Sequence, residues 1–146
     1  MNRIFFISVL LFSVGLVSCS ALNKNRKENS NELLHRKWML ISFQDFDKDF
    51  FIQNNAYLDL TEFQLKRAHA NVGCNQLNFN IQTQSKHQIK FSELKRTRKY
   101  CEQTINLEDR FAEELQKVNQ YQIEGHFLTL TDKNGNKIKF VAADWD

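Results

Sequence analysis

An α+β domain, built mostly of antiparallel strands with one main helix, is what this sequence predicts, and three observations carry the prediction. Apolar and polar residues alternate in several short runs, the period of a half-buried strand. One stretch alone, 105–118, repeats its apolar residues at helical spacing. Asn134-Gly135 between two apolar runs is the strongest short hairpin signal in the chain. Because the helix falls between two groups of strands, the sheet is expected to curve, or to form an open barrel, with the helix closing it.

The elements follow in order. Trp38 to Phe43 and Ala56 to Thr61 read as strands. In the next run Lys66, Ala68, Ala70 and Val72 fall on one face, with Arg67, His69 and Asn71 on the other. Leu77, Phe79 and Ile81 alternate with asparagines, and Ile89 and Phe91 with Lys90 and Ser92. The helix follows, with Leu107, Phe111, Leu115 and Val118 as one apolar stripe. Asn106 is its expected N-cap, and Glu108 and Asp109 sit in the first turn, where the helix dipole favours anions. Glu113 and Glu114 read as its solvated face. Three strands close the chain, through Tyr121 and Ile123, through Phe127, Leu128 and Leu130, and through Ile138, Phe140 and Val141. Turns at 124–126 and 132–136 separate them.

The chain has 146 residues, enough for one domain, and its 20 basic against 17 acidic residues leave a net charge of only +3. That balance implies no nucleic-acid partner. With four glycines and no proline, glycine-rich phosphate loops and proline-rich recognition lack their material.

Residues 1–18 read as an export signal: Arg3, then an apolar run from Ile4 to Val17, with no acid before Glu28. Fourteen residues at about 1.5 Å each reach only about 21 Å as a helix, short of a hydrocarbon core of about 30 Å. The run ends Leu16-Val17-Ser18-Cys19, which resembles the bacterial lipobox. That resemblance implies a diacylglyceryl group on Cys19, cleavage before it and acylation of the new amino terminus, hence stable anchoring to a membrane. An ordinary secretory signal with a chance cysteine is the alternative. Ser20 after the cysteine, where aspartate would signal retention at the inner membrane in the best-known sorting system, implies an outer-membrane address. Residues 19–34, rich in Asn and Lys, read as a tether, and 35–146 as the folded domain.

With Cys19 given to lipid, Cys74 and Cys101 remain. An even pair in an exported protein suggests a disulfide. Two buried thiols, or a Cys74 nucleophile assisted by His69, are the alternatives, though no third, orienting group is identifiable. The histidines, at positions 35, 69, 87 and 126, follow no metal-ligand spacing, and neither GxSxG nor CxxC occurs. No catalytic residue, metal or cofactor is expected. Lys86, His87, Lys90, Lys95, Arg96, Arg98 and Lys99 form a basic cluster against one acid, Glu93. It is either a solvated strand and loop or a contact for anionic envelope material.

Two motifs place the chain from Trp38 onward. Gly73-Cys74-Asn75 follows a strand, and Leu94-x-x-Thr97-Arg98-x-x-Cys101 lies two strands later. Together with the spacing of Glu108, Phe111, Leu115, Val118, Tyr121, Ile123, Gly125, Leu128 and Leu130, they make the chain resemble the META domain, or HslJ-like, family of bacterial envelope lipoproteins. Ala70 stands where that family usually has glycine, Phe79 and Ile81 replace a Gly-x-Tyr, and Lys99 stands where Met is usual. The lost glycines imply a strand without a bulge there. The resemblance implies a non-enzymatic, lipid-anchored envelope protein supporting stress or drug tolerance by binding or stabilising a periplasmic component. The seam of Gly73, Asn75, Thr97 and Arg98 is expected to be structural, with a ligand site as the alternative. A periplasmic inhibitor of a secreted enzyme, of the lysozyme-inhibitor kind, is the competing function; it lacks the Ser-Gly-x-x-Tyr loop of those proteins.

Overall fold

A computed structural model describes residues 30–84 and 87–145. The export signal, Cys19 and most of the tether lie outside the described residues. The elements are α1 (Ser30–Leu34), β1 (Lys37–Phe43), α2 (Lys48–Gln53), β2 (Tyr57–Asp59), β3 (Arg67–Asn71), β4 (Gln76–Thr83), β5 (Ile89–Arg96), α3 (Ile105–Lys117), β6 (Val118–Glu124), β7 (Phe127–Asp132) and β8 (Lys137–Ala142). The strands form one sheet in the order β5-β4-β3-β2-β1-β8-β7-β6, every neighbour antiparallel. The sheet curves until its outer strands approach: Gln88 bridges Gln120, and the Tyr121 N–H donates to the His87 carbonyl at 2.8 Å. The α+β class and the curved sheet with one dominant helix are as the sequence predicts.

Strict antiparallel pairing sorts the connections by end. Where β1 begins lie also the β2–β3, β4–β5 and β6–β7 turns and the chain after β8. At the opposite end lie the β1–β2 and β7–β8 connections, the 72–75 loop and all of 97–117, including α3. Leu107, Phe111 and Leu115 of α3 are buried, and Phe111 meets the Phe43 ring edge-on at 5.6 Å. The helical stripe thus covers the far mouth of the curved sheet. The interior holds the inward residues of each strand, Trp38, Leu58, Leu77, Ile81 and Phe140 among them.

Several boundaries differ from expectation. The tether expected over 19–34 gives way at its end, because 30–34 is a helical turn whose Leu34 is wholly buried and accepts from the Trp38 indole at 3.1 Å. Lys66 does not share the inward face of Ala68, Ala70 and Val72. It is exposed in the left-handed region (φ 57°), ahead of the strand. Val118 is buried as expected but opens β6 and does not end the helix. The helix N-cap is Thr104, two residues before Asn106. Glu113 is exposed, whereas Glu114 is half-buried and ion-paired with Lys117 at 2.8 Å. The short α2 went unread, because six residues hold too little periodicity to separate KDFFIQ from a loop.

β3 pairs without register shift to both neighbours, Ala70 standing between Leu58 and Leu77, as the missing glycine implies. The irregularity lies in β5, where Glu93 (φ 53°) is inserted opposite the Asn78–Asn80 step. A bulge of this kind shifts the inward phase by one, so that after buried Phe91 it is Leu94 that packs against the core.

Candidate functional site

The two sequence motifs meet at the far end of the sheet, and a residue outside both joins them. Glu108 belongs to α3 and is completely buried, with no cation in contact with its carboxylate among the described residues. Oε1 accepts from the Cys74 N–H (2.6 Å), the Asn75 N–H (3.0 Å) and the Thr104 hydroxyl (2.9 Å), and Oε2 from the Asn75 side-chain amide (2.8 Å). Burial alone would raise its pKa. The hydrogen bonds from the Asn75 side chain, the Cys74 and Asn75 N–H groups and the Thr104 hydroxyl outweigh burial, so the carboxyl sits below its ordinary value and stays ionised.

Asn75 is the second hub. Its amide nitrogen also donates to the Lys99 carbonyl at 2.9 Å, and its oxygen accepts from the Lys99 N–H at 2.7 Å and the Thr97 hydroxyl at 2.9 Å. Both donors and both lone pairs of the carboxamide are therefore used. Thr97 in turn accepts from the Gln76 N–H at 3.1 Å. Asn75 so ties the 72–75 loop, the chain after β5 and α3 together.

Gly73 owes its place to close approach. A Cβ there would sit 2.6 Å from the Thr104 Cβ and 2.8 Å from Glu108 Oε1. Cys74 and Cys101 form a disulfide with Cα atoms 6.2 Å apart, a second tie between the same two loops. The Cys74 nucleophile is thereby excluded for the oxidised protein, and His69 is engaged elsewhere, 3.5 Å from Asp59 and edge-on to Tyr57.

Of the expected site residues, Gly73, Cys74, Asn75, Thr97 and Cys101 come together. Arg98 does not join them; its side chain is exposed, with no bond from its guanidinium among the described residues. The basic cluster divides. His87 and Lys95 lie toward opposite ends of β5, separated by about 25 Å of strand. Lys86 lies outside the described residues, and Arg96 pairs with Asp109. What remains together is Lys95, Arg98 and Lys99 with Tyr100, which is 82% exposed. They line an open groove of about 740 Å³ that has Leu94, Thr97 and Ile105 along its walls. Among the described residues no group of three or more His, Cys, Asp or Glu side chains is placed to hold a metal ion.

Sequence reasoning assigned Glu108 to the helix dipole and missed its burial. The signal was available: four residues after Thr104 and three before Phe111, a glutamate lies on the same side as the apolar stripe, where an acid needs partners.

No curated protein matches the chain. Solved structures share its architecture. A protein from Burkholderia xenovorans, determined by NMR, is 17% identical with a TM-score of 0.60, covering 80% of this chain and 87% of that one. A second NMR structure is 20% identical with a TM-score of 0.59, covering 80% and 96%. The crystal structure of a DUF4847-family protein from Bacteroides vulgatus is 10% identical with a TM-score of 0.58, covering 81% and 100%. At these identities the likeness is one of fold. Residues 31–145, nearly all of the described chain, match the META domain, and the protein belongs to that family.

Proposed function

We propose that this protein is a lipid-anchored, non-enzymatic binding module of the bacterial envelope, holding an anionic periplasmic component and serving stress or drug tolerance. One observation carries the binding reading. The backbone of 97–101 is pinned by Asn75 and the disulfide, while the side chains of Lys95, Arg98, Lys99 and Tyr100 are left to solvent. A fixed loop with uncommitted cations and an aromatic ring loses little conformational entropy on meeting a phosphate- or carboxylate-bearing partner. The anchoring reading is supported by the Leu-Val-Ser-Cys run before residue 20.

Titration with lipopolysaccharide and with its dephosphorylated form, at low and high salt, tests the first. Binding should need the phosphates, weaken with salt and be lost in Lys95→Ala/Arg98→Ala/Lys99→Ala; an unchanged affinity in that variant refutes it. Mass spectrometry of membrane-extracted protein tests the second. It should find an acylated Cys19 at the amino terminus, and a mature chain beginning elsewhere refutes it.

A further inference from the structure

Five large apolar side chains are exposed among the described residues: Ile52 and Tyr100 stand at the end that carries α3, and the other three at the opposite end. Leu65 (64% exposed), Phe127 (44%) and Trp145 (48%) all stand at the end where β1 begins, in the β2–β3 connection, at the start of β7 and after β8. Two of them make a built cluster. The Trp145 indole stacks on the His126 ring at 5.2 Å and meets Phe127 edge-on at 5.6 Å. The cluster is joined to the start of β1 through the Ala143 N–H, which donates to the Lys37 carbonyl at 2.9 Å. It is therefore beside the point where the N-terminal chain enters the domain.

We infer that this end of the domain rests on the lipid surface, with Trp145 and Phe127 in the interfacial layer and Leu65 on the same rim. The inference rests on the anchoring reading above. Cys19 and Ser30 are eleven residue steps apart, a reach of at most about 36 to 40 Å when fully extended. A domain of this size has a radius of gyration of about 13 Å, hence a breadth of about 34 Å. Bringing the far end to the bilayer would demand nearly the whole of that reach, whereas the near end meets the bilayer at any extension. Tethering also raises the local concentration of lipid, so that a small apolar contact suffices. Indole and phenyl rings favour the headgroup level, where an apolar body and a polar edge are both satisfied. The charges at this end are mixed, with Arg36, Lys37, Lys66 and Arg67 against Glu32, Asp59, Glu62, Glu124 and Asp144, so the contact is apolar and does not depend on anionic lipid. The Lys95–Tyr100 loop, at the other end, then faces away from the bilayer.

The chain carries its own reporter, since it has two tryptophans and Trp38 is wholly buried. Full-length processed protein is reconstituted in phosphatidylethanolamine and phosphatidylglycerol vesicles with brominated acyl chains, and flotation is followed alongside fluorescence. We expect Trp145 to lose about half of its emission or more, as befits a ring within about 5 to 10 Å of the acyl boundary, and Trp38, isolated in Trp145→Phe, to lose none. A Tyr100→Trp reporter in the Trp145→Phe background should float and remain unquenched. Protein that floats with Trp145 unquenched, or with both reporters quenched equally, overturns the docking and leaves anchoring intact. Protein that does not float overturns both.

Discussion

Glu108→Ala removes the carboxylate on which the two loops and α3 converge. It deprives the Cys74 N–H, the Asn75 N–H and the Asn75 amide of an acceptor at once, while the Thr104 hydroxyl can rotate to another. A buried donor left unsatisfied costs about 1 to 3 kcal/mol, so three give about 3 to 9 kcal/mol before any relaxation. Water entering the space of the lost side chain recovers part of this, and we expect a loss of about 3 to 5 kcal/mol. Glu108→Gln separates geometry from charge. Its oxygen can still accept from the two backbone N–H groups, but its amide then opposes that of Asn75. Asn75 cannot turn over without losing its bonds from Lys99 and Thr97. The expected cost is about 1 to 3 kcal/mol. Urea unfolding measures both, and an unchanged slope would show that the unfolded state is unaffected. A loss below about 1 kcal/mol for Glu108→Ala would refute the claim that this carboxylate organises the seam.

The same carboxylate predicts a pH dependence. Its folded pKa lies below the ordinary 4.5, so its contribution is fully present above about pH 4.5 and is lost as pH falls through the folded value; Asp132, also lowered, acts in the same direction. Stability that rose on acidification over that range would contradict it, and Glu108→Gln should flatten the profile. Gly73→Ala should cost about 1 to 3 kcal/mol, because the added methyl meets the Thr104 Cβ, an atom fixed to the helix backbone; a neutral effect in urea melts would show that α3 can withdraw. Phe111→Ala should cost about 3 to 5 kcal/mol, and exposed Glu113→Ala less than about 0.5 kcal/mol. Equal losses would mean the helix faces the other way. Reduction of the disulfide, whose cysteines are 27 positions apart, should cost roughly 3.5 kcal/mol on the chain-entropy account, with Cys74→Ser alone matching the double variant with Cys101→Ser. Two equivalents of thiol titrating in unreduced, denatured protein would show no bond.

Strand alternation made the sheet legible, because a residue on the wrong face of a half-buried strand costs a whole side chain of burial. The 105–118 stripe was legible for the same reason. Short elements were not: Leu34 and the 48–53 turn are fixed by what they cover, and nothing local marks them. The seam was half legible. Its glycine, asparagine, threonine and cysteines stand in the motifs, but the partner that makes them one unit lies on α3, more than thirty residues from Asn75. Sequence spacing carries no information about a contact made across the mouth of a curved sheet. The basic cluster failed in the opposite sense, since adjacency along β5 suggested one patch where an extended strand holds its ends far apart.

The departures from the family pattern show which parts of the seam are free to change. Lys99 enters the network through its backbone N–H and carbonyl alone, so methionine or lysine can stand there without touching Asn75. Arg98 and Tyr100 flank it with side chains that bond nothing in the fold among the described residues. Gly73, Asn75 and Glu108, by contrast, have no substitute of the same size and hydrogen-bonding capacity at their positions. Gly73 lacks room for a Cβ, Asn75 uses two donors and two lone pairs, and Glu108 offers acceptors only. The fold thus separates support from presentation within six residues. Substitutions at 98–100 are expected to cost little stability as long as the hydrogen bonds that hold their backbone are kept.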